Sequence, residues 1–207
     1  MGHAHRALRR RTGGDSLPVV THLPPVVLCL AIALALYAPP SVMSQSKAGG
    51  EYEVKAAFLY NFAKFVEWPD RSFASAQSAF TICVLGSDPF GRTLDDALEG
   101  KMIGSRRVTL ERVKDAARAR QCQMAFVSPS ESSHLPEIVD QLRGANVLLV
   151  GETDGFAQAG GTIQFTLEAD RIRFAINTDA AERAGLRMSS KLLALAKIVH
   201  DGASGRG

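Results

Sequence analysis

Residues 51–69, EYEVKAAFLYNFAKFVEWP, limit the fold more than any other stretch of this 207-residue chain. Five aromatic side chains, Phe58, Tyr60, Phe62, Phe65 and Trp68, fall within eleven residues. Val54, Phe58, Phe62 and Phe65 recur at spacings of three and four, which puts them on one face of an α-helix. Lys55, Lys64 and Glu67 fall elsewhere on the wheel. Pro69 supplies the stop, because it disfavours the helical conformation at Trp68 and has no N–H to donate. Each ring can bury roughly 150–250 Å², so the helix must lie against the rest of the protein. It is expected to be the main core helix, and a part that stays accessible (Tyr60, Phe65 and Trp68) forms a candidate partner-contact set.

The stretch before it reads as a leader to be set aside from the fold. Arg6, Arg9, Arg10 and Arg11 make a basic start, and residues 26–38, VVLCLAIALALYA, are an apolar run of 13 residues ended by Pro39-Pro40. That run is short for a membrane span, which needs about 20 residues, and suits the core of a signal peptide over residues 1–44. A retained N-terminal anchor is the alternative. Cys29 lies inside the run and would leave with it. Four of the 24 Lys and Arg and one of the 21 Asp and Glu fall in the leader, leaving 20 of each and no formal net charge. With no basic run or basic-aromatic stripe in the remainder, nothing argues for nucleic acid. The remainder is long enough for one domain with a proper core.

Export also frames Cys83 and Cys122, which would enter an oxidising compartment. Two cysteines allow one intramolecular pair, a Cys83–Cys122 disulfide; two buried free thiols are the alternative.

The rest of the chain alternates strands and helices. Residues 80–86, 106–110, 122–127 and 147–150 read as buried strands, apolar and rich in β-branched side chains. A helix is expected after the first of them, N-capped by Ser87 or Asp88 and closed by Gly100. Another runs from Ser132 or Ser133 to Arg143, with Leu135, Ile138, Val139 and Leu142 facing inward. Residues 162–167 and 171–177 are joined by so few residues that they must pair antiparallel. A last helix is expected from about Asp179 through Val199, broken at Gly185, with Leu192, Leu193, Leu195, Ala196 and Val199 packing it down. Residues 201–207 read as a disordered tail. The fold class is therefore α/β: three layers around a mostly parallel sheet with an antiparallel edge hairpin, preceded by the apolar N-terminal helix. A 2-1-3-4 order of the first four strands would bring Cys83 and Cys122 together.

Catalytic patterns are scarce. Beyond the leader there are two histidines, His134 and His200, neither at metal-ligand spacing with Cys or another His. No cofactor or metal is expected. The turn Gly86-Ser87-Asp88-Pro89-Phe90-Gly91 stands between a strand and a helix, where backbone amides could hold an anion, which makes Ser87, Asp88, Phe90 and Gly91 a candidate anion or ligand turn. It lacks both the Lys-Ser/Thr of a P-loop and the glycine spacing of a dinucleotide turn. Asp95-Asp96 and the carboxylates of residues 131–137 read as solvated helix faces rather than acid/base pairs.

Three stretches resemble the YfiR-type periplasmic proteins: VKAAFLYNFAKFVEWP (54–69), ICVLGSDPFGRTL (82–94), and GGTIQF…RIRFAIN…AGLRMSSKLLALAKIV (160–199). The resemblance covers residues 51–200. It implies one secreted α/β domain over residues 45–200, without catalytic activity, that represses an inner-membrane diguanylate cyclase by binding its periplasmic part and so lowers cyclic di-GMP signalling. It also implies that an outer-membrane lipoprotein can draw the repressor away. Cys83 and Cys122 stand where that family has its strand cysteines, but the second pair that some relatives carry is missing here, with no cysteine after Cys122. A homodimer through the aromatic helix or the antiparallel edge is a further expectation. The competing reading is a periplasmic small-molecule binder using the mouth near Ser87, Phe90 and Ser128.

Overall fold

The computed structural model describes residues 44–202, with side chains from residue 50 onward. The expected leader apart from Ser44, and residues 203–207 of the expected tail, lie outside the described residues. Helix α1 (Ser44–Phe65) leads into β1 (Val66–Glu67). Then come β2 (Phe80–Leu85), α2 (Arg92–Leu98), β3 (Met102–Ile103), β4 (Arg106–Val113) and α3 (Ala116–Ala119). Next are β5 (Met124–Val127), α4 (Leu135–Leu142), β6 (Leu148–Gly151), β7 (Ile163–Glu168) and β8 (Arg171–Asn177). The chain closes with α5 (Thr178–Arg183), β9 (Arg187–Met188), α6 (Ser190–Leu193) and β10 (Lys197–Val199).

Eight strands form one sheet in the order β10-β8-β7-β6-β5-β2-β4-β3. From β4 to β7 neighbouring strands run parallel, and β7 pairs antiparallel with β8. The mostly parallel α/β fold is thus as expected, and β4-β2-β5-β6 is the anticipated 2-1-3-4 order. Ala169 and Asp170, with φ of 47° and 60°, make the β7–β8 connection, the left-handed pair that a two-residue hairpin loop needs.

The carboxyl-terminal part differs from the single helix expected there. Gly185, at φ +67°, ends α5. The chain then pairs β9 antiparallel with β1, makes one turn of helix capped by Ser189, and adds β10 parallel to β8. The hairpin therefore sits one strand inside the edge. A continuous helix would have left the outer backbone of β8 unpaired, and pairing it with residues 197–199 outweighs the helical propensity of Leu, Ala and Lys. Elsewhere β4 runs on through Val113, three residues past the end expected at residue 110, and α3 follows, capped by Asp115. The N-cap expected at Ser87 or Asp88 is not made: Gly91 precedes α2 without a side-chain cap.

Side chains on the two faces of the sheet build two cores. On one face α1 and α2 cover Ile82, Val84, Phe126, Val150, Phe165 and Phe174. On the other, α3, α4 and Phe156 cover Leu85, Ala125, Val127 and Leu149. The apolar line that α1 buries is Ala56, Leu59, Phe62 and Ala63, continued by Val66 of β1, rotated from the Val54–Phe58–Phe62–Phe65 stripe read from spacing. Ala56 and Ala63 let the helix approach the sheet closely, which turns the wider Phe58 and Phe65 out to one flank.

Where the expected tail begins, Asp201 is ion-paired to Arg183 and accepts a hydrogen bond from the Asn177 side chain at 2.7 Å. The Arg183 hydrogen bond, ahead of the one from Asn177, holds the Asp201 carboxyl below its ordinary range. Its folded pKa is depressed, so its contribution to stability is complete above the unfolded value of about 3.9 and is lost as the pH falls through the lower folded value. Below about pH 4, hydrogen exchange at Ile198 and Val199 is therefore expected to quicken before that of β5. Equal acceleration in both strands would show that Asp201 does not hold β10.

Candidate partner-binding site

A cleft of about 170 Å³ opens between α1 and α6 over β8. Phe58, Asn61 and Phe65 line it from α1, Phe174 from β8, and Lys191, Leu192 and Leu195 from the chain after β9. Main-chain bonds set its width: β9 pairs with β1, and the Ser189 N–H donates to the Phe65 carbonyl at 2.9 Å. Ser189 Oγ accepts from the Leu192 N–H, as expected of a cap. The floor is aromatic and rigid, since Phe58 and Phe62 both lie edge-on to Phe174 at 5.5 and 5.1 Å between ring centres. The rim is apolar and open, with Phe65 36% and Leu195 73% exposed. Leu195 was expected to pack down the last helix; α6 stops at Leu193, so the i, i+3 relation to Leu192 no longer holds. No periodicity in the sequence could have marked it, because the signal lies in where the helix ends.

The three aromatic candidates do not share one surface. Phe65 is on the cleft. Tyr60 lies on the opposite flank of α1, where its hydroxyl donates to the Met102 carbonyl at 3.2 Å and Lys64 and Lys101 approach its ring. Trp68 is tied to the sheet: its indole N–H donates to the Gln123 carbonyl at 3.0 Å, and its ring meets Phe80 edge-on at 4.8 Å.

Cys83 and Cys122 form the disulfide, with Cα atoms 6.1 Å apart and both residues buried. Cys83 is central in β2, beside Ala125 of β5, and Cys122 stands two residues before β5 begins. Gln123 stitches this point to its surroundings, as its side chain accepts from the Thr81 N–H and donates to the Ser72 carbonyl.

The strand-to-helix turn is occupied by its own side chains. The Ser87 N–H donates to Ser130 Oγ at 3.0 Å and the Phe90 N–H to Asp88 at 2.7 Å. Arg112 bridges Asp88 and Asp95 at 2.7 and 2.5 Å, and its hydrogen bond holds the Asp95 carboxyl below its ordinary range. Gly91, at φ +55°, gives the carbonyl that Arg112 Nη2 also reaches. At the mouth at the ends of β2 and β5, Phe90 is buried between Phe126 and Tyr52 and Ser128 is buried, while an open cleft of about 450 Å³ beside the turn is lined by Asp88, Gly91, Arg92, Asp95 and Arg112.

Beside that mouth lies a charged cluster that the place of Lys55 off the apolar stripe did not reveal. Lys55 is 3% exposed and pairs with both Glu51 and Glu152. Tyr52 donates to Glu152 at 2.9 Å; burial first, then this bond, keeps its phenol protonated well beyond the ordinary range. The i, i+4 spacing of Glu51 and Lys55 was the available signal.

Among the described residues no group of His, Cys, Asp and Glu could hold a metal ion, and no helix is long and apolar enough to cross a membrane. A profile of YfiR/HmsC-like proteins matches residues 52–197, from the first turns of α1 to the start of β10. The chain belongs to the YfiR/HmsC-like family. This family is periplasmic and regulatory, acts on partner proteins, and is in general non-catalytic. No curated protein matches the chain. Among solved structures, a conserved domain protein from Vibrio cholerae superposes with a TM-score of 0.51 at 11% identity, covering 71% of this chain. A domain from Streptococcus pneumonia in complex with L-Trp gives 0.49 at 12% identity over 70% of this chain. This chain spans 59% and 60% of those two proteins' lengths. For the YfiR/HmsC-like chain described here, the Vibrio structure supports the fold alone.

Proposed function

We propose that this YfiR/HmsC-like protein is an exported repressor that binds the periplasmic region of an inner-membrane diguanylate cyclase through the α1–α6 cleft and lowers cyclic di-GMP. The observation that carries this reading is the open apolar rim of Phe65 and Leu195 above a rigid aromatic floor. An exposed apolar cleft on a folded domain costs solubility, and a partner that covers it removes that cost. The disulfide ties β2 to the residues before β5, and Gln123, next to Cys122, holds Trp68 just past β1. An outer-membrane lipoprotein competing for the same surface would release the cyclase. The signal peptide over residues 1–44 belongs to this proposal.

Cellular cyclic di-GMP tests it. Deleting the protein is expected to raise the level and restoring it to reverse the rise. Restoration with Leu195→Asp is expected to fail, since a carboxylate in the buried centre of an interface typically costs at least about 2 kcal/mol, a thirtyfold loss of affinity. Leu195 is exposed, so the variant should fold as before. An unchanged level on deletion would remove the cyclase from the proposal, and full repression by Leu195→Asp would move the contact elsewhere.

A further inference from the structure

Beyond the cleft, β10 is the last strand of the sheet, and among the described residues nothing pairs with its outer edge. Bare edges recruit strands, and proteins usually blunt them with charge or cover. Among the described residues no element covers this edge, and the charge of β10 and α6 is positive. Ile198 registers with Ile176, which places it on the cleft face of the sheet, where it is 43% exposed. Lys197 registers with Ala175 and so lies on the other face, the face of Arg171 and Arg173. Residues 171–177 and 190–199 contain Arg171, Arg173, Lys191 and Lys197 and no Asp or Glu, and the neighbouring β7 sets Glu168 opposite Arg171, which leaves Arg173 and Lys197 nearer the edge without a facing carboxylate in the ladder. Among the described residues none of these four cations makes an ion pair, whereas Asp201, at the far end, is already held by Arg183.

We propose that the outer edge of β10 is a strand-addition site for an extended segment of a partner protein in which apolar and acidic side chains alternate. Successive side chains of an added strand point to opposite faces. One set would meet Ile198 and continue into the cleft. The other would meet Lys197, with Arg173 one strand further, within a screening length of roughly 8–10 Å. The charge pattern also decides against a second copy of this chain, since pairing two β10 edges would set Lys197 and its neighbours against their own like charges. The proposal rests on the reading of this protein as a binding module and adds the backbone geometry of the contact.

The test is fluorescence anisotropy with a labelled octapeptide of alternating valine and glutamate, on the purified protein with its disulfide intact. Saturable binding is expected, weakened about tenfold by Lys197→Glu combined with Arg173→Glu. A valine–lysine peptide should prefer that double variant to the wild type. Methylating alternate backbone nitrogens of the peptide should abolish binding, because strand addition needs main-chain donors. Equal binding of the methylated peptide would overturn the strand geometry. Failure of the unmodified peptide to bind would overturn the proposal, and a dimer broken by Ile198→Asp would assign the edge to a second copy instead. Cyclic di-GMP does not enter this assay, so repression can fail while the edge still binds, and the reverse.

Discussion

Reduction of the Cys83–Cys122 disulfide, or its replacement by two serines, is expected to destabilise the domain by about 4 kcal/mol. The bridge spans 39 residues of sequence, and closing a loop of that length in the unfolded chain removes entropy of this order in the chain-entropy treatment. Both sulfurs lie in the core between the sheet and helices α3 and α4, so serine hydroxyls there would add a desolvation cost. Urea unfolding of the oxidised and reduced protein measures the difference. With a slope near 2 kcal/mol per molar, the midpoint should fall by about 2 M. The single tryptophan is well placed to report it, because Trp68 bonds to Gln123, the residue next to Cys122. A shift below about 0.3 M would mean that the unfolded chain is already compact enough for the crosslink to remove little freedom.

A loss of comparable size is expected when the buried cluster at α1 is broken from one side. Glu152→Ala removes a partner of Lys55 and the acceptor of the Tyr52 hydroxyl in one step. Glu51 remains, but its side chain is 31% exposed and cannot replace a carboxylate that is 11% exposed. Breaking a buried pair in this way commonly costs about 3–5 kcal/mol, since the remaining ammonium has lost its water and the more buried of its two counter-charges. Replacing Lys55 by Met and Glu152 by Leu together should recover most of the loss, because the desolvation penalty then disappears with the attraction. Thermal unfolding of the two single variants and the double gives the coupling energy. Additive losses would show that the two charges act independently and that the cluster is not a latch.

The parts of this structure that could be read in advance are those where local pattern and tertiary demand agree. The strand at residues 80–86, the β7–β8 hairpin and the neighbouring placement of the two cysteines follow from runs of β-branched residues, a short connector and the rule that crossovers are right-handed. The end of the chain was misread because SKLLALAKIV has high helical propensity, while the unpaired backbone of β8 and β1 is visible only after the sheet exists. Half of the candidate site followed the same division. Phe65 was found from its helix, but Leu195 and Lys191 come to it through β9 and the cap at Ser189, which spacing along α1 cannot show. Tyr60 and Trp68 were grouped with Phe65 by proximity in sequence, and the helix carries Tyr60 to its other flank, while Trp68 lies beyond the helix end against the sheet.

The pairing of β1 with β9, and of α1 with the chain that follows β9, joins an early part of the described residues to a late one. A ribosome or a translocation pore delivers a chain from its amino end. The aromatic helix therefore emerges about 120 residues before the segment that completes its shelter, a separation in sequence of the kind that slows folding. During that interval its rings are open to unwanted association, and a chain interrupted before residue 187 leaves Phe58 and Phe65 without the side of their shelter that Leu192 and Leu195 supply. Premature termination near the carboxyl end should then yield aggregated or degraded product rather than a slightly shortened protein.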